Sequence, residues 1–235
     1  MREVETGPRA AEVVARHAFF RDLPADILRQ LGARARLRSY TAGQTIFRKG
    51  DPGLGLLAVV SGIVKISAPS QDGGELVLNQ ISEDQIFGEI ALLDGGSRTA
   101  DAVAFSDTLI LSLDRRDLLT LIETYPGLGL KLLAVLSERL RRTSEQVEDI
   151  QFAEPQVRVA KALLRIGALQ GSLEGAPRVK VTQQELGRNV GLSRESTNKI
   201  LKAWESEGRL VVQKGVCTLY DLRFFQDLAG EATLA

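Results

Sequence analysis

Two stretches of the sequence gather residue types able to recognise a ligand. The first is Phe87-Gly-Glu-Ile-Ala-Leu-Leu-Asp-Gly-Gly-Ser-Arg-Thr-Ala-Asp101. A helical turn over residues 88–92 would aim free backbone amides at an anion, because the first amides of a helix lack intrahelical partners. Arg98, returning from the far side of the glycine loop, would offer a planar fork to the same phosphate. Glu89 would accept from a ribose hydroxyl, a group that deoxynucleotides lack. Glycines near an arginine also mark ordinary turns, and these residues alone leave both readings open. The chain has no Gly-x4-Gly-Lys-Ser/Thr or Gly-x-Gly-x-x-Gly run, so ATP-loop and dinucleotide folds lose support.

The second stretch begins at Thr182-Gln-Gln-Glu185. A hydroxyl and a carboxylate at that spacing satisfy reciprocal backbone donors, the capping box of a helix start. Gly187 is small where a second helix must pass closely, and Gly191 suits a left-handed turn. Leu192 plugs that turn, and Ser193 can cap the next helix. On that helix Thr197, Ile200, Leu201 and Trp204 share one face, and Arg194, Glu195, Asn198 and Lys199 share the other. Side chains near the start of such a helix can reach base edges: Arg suits guanine, and Glu can accept from cytosine N4. The pattern predicts a helix-turn-helix with Thr182, Gln183, Ser193, Arg194, Glu195, Asn198 and Lys199 at the DNA. A three-helix structural module would share single features of this set, but the set together favours DNA.

Other elements must position these stretches. Helices are predicted around residues 11–20 and 25–31, then short runs at 45–47, 56–60, 63–66, 76–81, 102–105 and 109–113, divided by turn residues that include Asp72-Gly-Gly. Such spacing suggests an all-β sandwich or roll. Helix returns at Asp114, with a break at Tyr125-Pro-Gly. Leu133, Leu136, Leu140, Thr143, Val147 and Ile150 then follow the 3-4-3-4-3 spacing of a coiled-coil seam, with charges crowding the other faces. A single amphipathic helix on its own domain would also look apolar along one side. A helix this charged outside so narrow a stripe fits a symmetric dimer better. Thr143 on the seam, beside Ser144, sets register or bonds a ligand between two helices. Residues 152–155 are the expected hinge, a helix runs from Pro155 to about Leu169, and residues 171–177 form a loop. Residues 208–220 end the helix and form a hairpin or wing.

Composition narrows the classes. The 235 residues are 44% hydrophobic and 26% charged, enough for one large or two small cored domains. The longest uncharged stretch, residues 52–64, is too short to span a bilayer, and the N-terminus lacks an apolar core and cleavage signal, which predicts a cytoplasmic protein. The net charge of zero hides an asymmetry: residues 155–235 carry 12 Lys and Arg against 8 Asp and Glu, leaving residues 1–154 at −4. A positive C-terminal half suits a polyanion. One cysteine, Cys217, cannot hold an iron–sulfur cluster or a Cys-rich metal site, and the single His17 is expected to pack rather than ligate. No metal or haem is expected, and no Ser/His/Asp set suggests an enzyme.

The segment from Phe87 to Ala100 closely resembles the phosphate-binding cassette of cyclic-nucleotide domains, which runs Phe-Gly-Glu-Leu-Ala-Leu, a short loop, then Arg-Ala/Ser/Thr-Ala. The chain as a whole, over about residues 15–220, resembles the cyclic-AMP receptor protein / fumarate-nitrate reduction regulator (CRP/FNR) family of bacterial transcription regulators. Arg142-Thr-Ser-Glu-Gln-Val147 and Val190-Gly-Leu-Ser-Arg-Glu195 carry the likeness beyond the cassette. The resemblance implies an α+β protein: a cyclic-nucleotide-binding β-roll (double-stranded β-helix or jelly roll) in residues 1–126, a long dimerisation helix and hinge in 127–154, and a winged helix-turn-helix in 155–235. It implies that Gly88, Glu89, Ile90 and Ala91 hold ribose and phosphate, that Arg98 pairs with the phosphate, and that Thr99 touches phosphate or base. Thr143 and the partner subunit's Ser144 would reach the purine, across a dimer seam of Leu133, Leu136, Leu140, Val147 and Ile150. Arg194, Glu195 and Lys199 would read palindromic half-sites, TGTGA-like or a variant, because Lys199 stands where the family has an arginine and cannot reproduce its fork.

Ser97 replaces a common proline, and Thr99 a common alanine or serine. In related kinase domains a threonine there favours cyclic GMP, whereas the Thr143-Ser144 pair points to cyclic AMP, so cyclic AMP is favoured as effector with cyclic GMP also bound. RNA polymerase is the further partner, and the loop at residues 171–177 is a candidate contact. A module acting through protein partners, or a DNA-binding regulator with a vestigial pocket, are the alternatives. The reader helix argues against the first and the intact Gly88-Glu89…Arg98 set against the second.

Overall fold

The computed structural model describes residues 6–69, 75–170 and 176–230. The expected turn at Asp72-Gly-Gly and most of the 171–177 loop lie outside the described residues. The chain divides into two compact units, Met1–Pro69 with Asn79–Leu140 and Ser70–Leu78 with Arg141–Ala235. The division falls within a single long helix.

The first unit starts with helices α1 (Pro8–Arg16) and α2 (Ala25–Arg34). Strands β1 (Arg36–Tyr40), β2 (Thr45–Phe47), β3 (Gly55–Ser61), β4 (Val64–Pro69), β5 (Glu75–Ile81) and β6 (Ile86–Phe87) follow. Next come the short helix α3 (Glu89–Asp94), strands β7 (Asp101–Ala104) and β8 (Thr108–Asp114), and helices α4 (Arg115–Thr124) and α5 (Pro126–Phe152). The strands form two four-stranded sheets, ordered β1-β8-β3-β6 and β2-β7-β4-β5.

The apolar runs explain the layering. On β3, Leu56 and Ala58 join a core with α1, α2, α4 and the start of α5, whereas Leu57 and Val59 join a second core with residues of the other sheet. Strand β8 divides likewise, Leu111 and Leu113 to one side and Ile110 to the other. A strand buried on both faces loses polar alternation and reads as a continuous apolar run. Strands β1 and β6 were not legible as separate elements. Arg36-Leu-Arg-Ser-Tyr40 buries only Leu37, and β6 is two residues long.

His17 caps the end of α1 and is buried, as the sequence suggested. Its Nδ1 accepts from the Phe19 amide, and Asp84, with a left-handed φ of 65°, accepts from the neighbouring Ala18 amide. Burial pushes the His17 pKa below its usual 6.5, against the pull of Asp84. A lowered folded pKa means that the unfolded chain binds the proton more readily. Stability is therefore full above pH 6.5 and declines as pH falls through the interval between 6.5 and the folded value. Urea unfolding of His17→Gln is expected to lack that part of the slope.

The second unit holds the rest of α5, α6 (Pro155–Leu169), β9 (Arg178–Lys180), α7 (Gln183–Asn189), α8 (Arg194–Ser206), β10 (Leu210–Gln213), β11 (Val216–Leu219) and α9 (Leu222–Ala229). Helix α5 stops at Phe152 and α6 starts at Pro155, with Glu154 extended between them. Strands order as β10-β11-β9. The β10–β11 turn is Lys214-Gly215, both left-handed at φ 49° and 78°, the geometry of a tight hairpin. Trp204 packs edge-on against Phe225 at 5.2 Å and anchors α9, which the sequence reading did not assign. Cys217 is buried, and desolvation pushes its thiol up to about 11, so it stays protonated and unreactive. No single helix among the described residues is long and apolar enough to cross a membrane. No His, Cys, Asp or Glu group that could hold a metal ion occurs among the described residues.

Candidate functional site

The cassette is built where β6 runs into α3. Gly88 caps α3 in the left-handed region at φ 80°. A Cβ there would come within 2.3 Å of Arg98 Nη1, so glycine is required by both conformation and space. Glu89 opens the helix and is 1% exposed, Ala91 is buried and Ile90 faces outward. Arg98 is brought back against this turn by a short backbone ladder. Its amide donates to Asp51 O at 2.8 Å, and its carbonyl accepts from the Gly50 amide at 2.9 Å. Gly53 allows the close approach, since a Cβ there would meet Ala91 Cβ at 2.4 Å, while Gly55 lets β3 close on β8, where a Cβ would meet Leu113 O at 2.1 Å.

Arg98 is 6% exposed. Its Nη1 donates to Gly88 O at 2.9 Å and its Nη2 to Gly55 O at 3.0 Å, while the guanidinium lies 4.4 Å from the centre of the Phe47 ring. Burial lowers the Arg98 pKa, and Glu89 and Asp51 oppose that shift. Glu89 forms an ion pair through Oε1 with Arg139 of α5, whose other terminal nitrogen donates to Ile86 O. Arg139 was counted in the sequence only as one of the charges off the seam. Its place one helical turn before Thr143 was the signal that could have singled it out.

Two atoms remain. Glu89 Oε2 and Arg98 Nε are both buried without a hydrogen-bond partner among the described residues. An unmatched acceptor and an unmatched donor in the cassette suit a ligand that brings both a donor and an acceptor. A ribose hydroxyl and a phosphate oxygen supply that pair, and the residues present fit a cyclic nucleotide. Thr99 is exposed beside Arg98, and Thr143 and Ser144 are exposed on α5. Leu133, Leu140, Val147 and Ile150 are at least half exposed in the single chain, and Leu136 is partly covered. An apolar stripe of that length on a charged helix needs a partner surface.

In the second unit the helix-turn-helix forms as its sequence predicts. Thr182 and Glu185 make the capping box: the Thr182 amide donates to Glu185 Oε2 at 2.9 Å, and the Glu185 amide donates to Thr182 Oγ1 at 3.1 Å. Ser193 caps α8 by accepting from the Ser196 amide, and its hydroxyl donates to Ser196 Oγ. The hydroxyls of Thr182 and Ser193 are thus engaged in holding the helix starts. Gly187 lets the two helices close, since a Cβ there would lie 2.8 Å from Leu192 O and from Thr197 Oγ1. Gly191 turns at φ 66°. Thr197, Leu201 and Trp204 are buried, whereas Arg194, Glu195 and Lys199 are exposed and Asn198 is half-buried. Gln183, at the start of α7, donates through Nε2 to Asn198 Oδ1 at 3.0 Å. Lys214, exposed at the wing tip, is a further cation that the motif reading passed over.

Comparison with known proteins agrees with both halves. Residues 37–125 match the family model of the cyclic nucleotide-binding domain, and residues 157–228 match that of the Crp-like helix-turn-helix domain. The chain is 35% identical, over 84% of its length and 89% of the relative's, to a CRP-like cAMP-activated global transcriptional regulator of Mycobacterium tuberculosis. It is also 35% identical to the cyclic AMP receptor protein of Thermus thermophilus, over 82% of this chain and 87% of that one. A solved CRP/FNR-family transcriptional regulator from T. thermophilus superposes with a TM-score of 0.72 at 28% identity, covering 83% of this chain and 98% of the other.

Proposed function

The chain belongs to the CRP/FNR family of transcription regulators, which are not enzymes, and from that premise we propose that it is a homodimer whose DNA binding is switched by a 3′,5′-cyclic nucleotide. Cyclic AMP is the favoured effector, with cyclic GMP also accommodated. The observation that carries the reading is the buried pair of unmatched atoms, Glu89 Oε2 and Arg98 Nε, at the turn that Gly88 caps. The names of the M. tuberculosis and T. thermophilus relatives support cyclic AMP.

A bound cyclic nucleotide would supply a phosphate anion and a ribose hydroxyl. Arg98 would hold the phosphate with the amides that follow Gly88, and the stacked Phe47 ring would keep the guanidinium in place. Glu89, oriented by Arg139, would accept from the ribose. Thr99, Thr143 and the partner subunit's Ser144 would complete the pocket on the base side. Residues 1–126 form the effector domain, 127–154 the dimerisation helix and hinge, and 155–235 the DNA-binding domain. A ligand that touches both seam helices acts by preferring one dimer arrangement over the other. The hinge at residues 152–155 would turn that preference into a recognition-helix spacing of one DNA turn (~34 Å). The regulator would act on palindromic promoters in the cytoplasm, with RNA polymerase as its partner there.

Calorimetric titration of the purified protein with cyclic AMP and cyclic GMP tests this. Saturable binding of cyclic AMP is expected, and Thr99→Ala is expected to weaken cyclic GMP by about tenfold relative to cyclic AMP, the scale of one lost hydrogen bond. No heat with either nucleotide would overturn the effector assignment.

A further inference from the structure

The hydrogen bond between Gln183 and Asn198 joins the starts of the two helices of the DNA reader. It spans the turn from the first residue of α7 to the fifth of α8. Both helix starts are pinned by caps, which order the backbone from which the two side chains meet. Asn198 lies one turn beyond Arg194 and therefore on the same outward face. Asparagine is a poor residue for a helix interior, which makes its presence here a matter of its side chain.

A carboxamide offers one acceptor oxygen and one nitrogen with two donor hydrogens. The familiar contact of asparagine with adenine uses both at once, N–H to N7 and oxygen to the N6 amine. In this chain Oδ1 is already taken by Gln183 Nε2. Resting on the DNA-binding reading above, we propose that Gln183 is a positioning residue that turns the Nδ2 hydrogens of Asn198 toward the base edges. Asn198 is then a specificity-determining residue for an acceptor. It favours guanine, with N7 and O6, thymine, with O4, or adenine through N7 alone, over cytosine, whose major-groove edge offers only a donor. The two-bond adenine contact is forgone. Beside it, Arg194 and Lys199 also present only donors, whereas Glu195 presents an acceptor.

The test is selection of binding sites from randomised duplex DNA by the full-length protein with cyclic AMP present, followed by competition between single-base variants of the winning site. Competition cancels any overall change in affinity caused by charge. Wild type is expected to reject cytosine at one half-site position, and Asn198→Ala is expected to lose roughly tenfold discrimination at that position alone. Gln183→Lys, whose ammonium still donates to Oδ1, should keep the preference. Gln183→Glu accepts from Nδ2 and turns Oδ1 outward, which should admit cytosine and exclude guanine and thymine. If the variants weaken every site equally and leave the ranking unchanged, the pair only packs α7 on α8 and the proposal is overturned. Cytosine at the position that depends on Asn198 in wild type also overturns it. Enrichment of no sequence by wild type would overturn the DNA-binding reading itself, whereas an intact wild-type site that ignores Asn198 would overturn this inference alone. Unchanged thermal midpoints of the variants exclude misfolding as the cause.

Discussion

Arg98→Ala is expected to weaken cyclic-nucleotide binding by roughly 30- to 4,000-fold, the range of about 2–5 kcal/mol for truncating one member of a buried, hydrogen-bonded charge pair. The guanidinium is almost fully buried, stacked on Phe47 and tied to two backbone carbonyls. It therefore needs little ordering when a phosphate arrives, and more of the interaction appears as affinity. Arg98→Lys should recover little, because an ammonium cannot reproduce the fork that reaches Gly88 O and Gly55 O together. Gly88→Ala should lose binding to a similar degree by another route. Its methyl would strike Arg98 Nη1 and its φ of 80° disfavours any side chain. Titration calorimetry on both variants, with unfolding midpoints as the control, measures the effect. Wild-type affinity in Arg98→Ala would mean that the buried arginine serves the fold and not a ligand.

Leu140→Glu is expected to convert the proposed dimer to monomers and to lower affinity for a palindromic site by ~100- to 10,000-fold. Leu140 is 69% exposed within one chain, so the change leaves the folded unit intact. Across a seam it would place two carboxylates where apolar side chains meet, at a cost no surface pair offsets. The DNA effect follows from lost bivalency: a dimer's second half-site binds at the effective concentration set by its tether, an advantage of ~10²–10⁴. Sedimentation and DNA titration of the same preparation check both parts. A Leu140→Glu protein that remained dimeric would move the interface away from the stripe of Leu133, Leu136, Leu140, Val147 and Ile150.

Legibility in the sequence followed how local the determining physics is. The capping box at Thr182 and Glu185 and the turn glycine Gly191 are set by a few adjacent residues, and each could be read from its own neighbourhood, whereas Gly88, expected inside the helical turn, is its left-handed cap. The core strands β3 and β8 showed as apolar runs, because both of their faces are buried. Strand β1 owes its place to pairing with β8, from Arg36 opposite Ser112 to Tyr40 opposite Thr108, and no pattern within its five residues announces that. The three-residue β9 likewise exists through its ladder to β11.

The cassette shows the same limit. Arg98 and Glu89 were evident from residue type and spacing. Their settings were not: the Phe47 ring, the Gly55 carbonyl and the Arg139 ion pair come from 51, 43 and 50 positions away in sequence. Gln183 and Asn198 were each evident as candidates for DNA contact, yet the bond between them depends on the packing of α7 on α8 that Gly187 permits. Side chains announce themselves by type, but their partners are set by tertiary structure.

The central claim is that occupancy of the cassette changes the grip on DNA. Fluorescence anisotropy of a labelled duplex carrying the selected palindrome, titrated with protein at fixed salt with and without saturating cyclic nucleotide, measures it directly. The expected result is tightening of about 5- to 150-fold with nucleotide, the usual span of an allosteric coupling, and loss of that tightening in Arg98→Ala. Equal affinity with and without a nucleotide that calorimetry shows to be bound would contradict it.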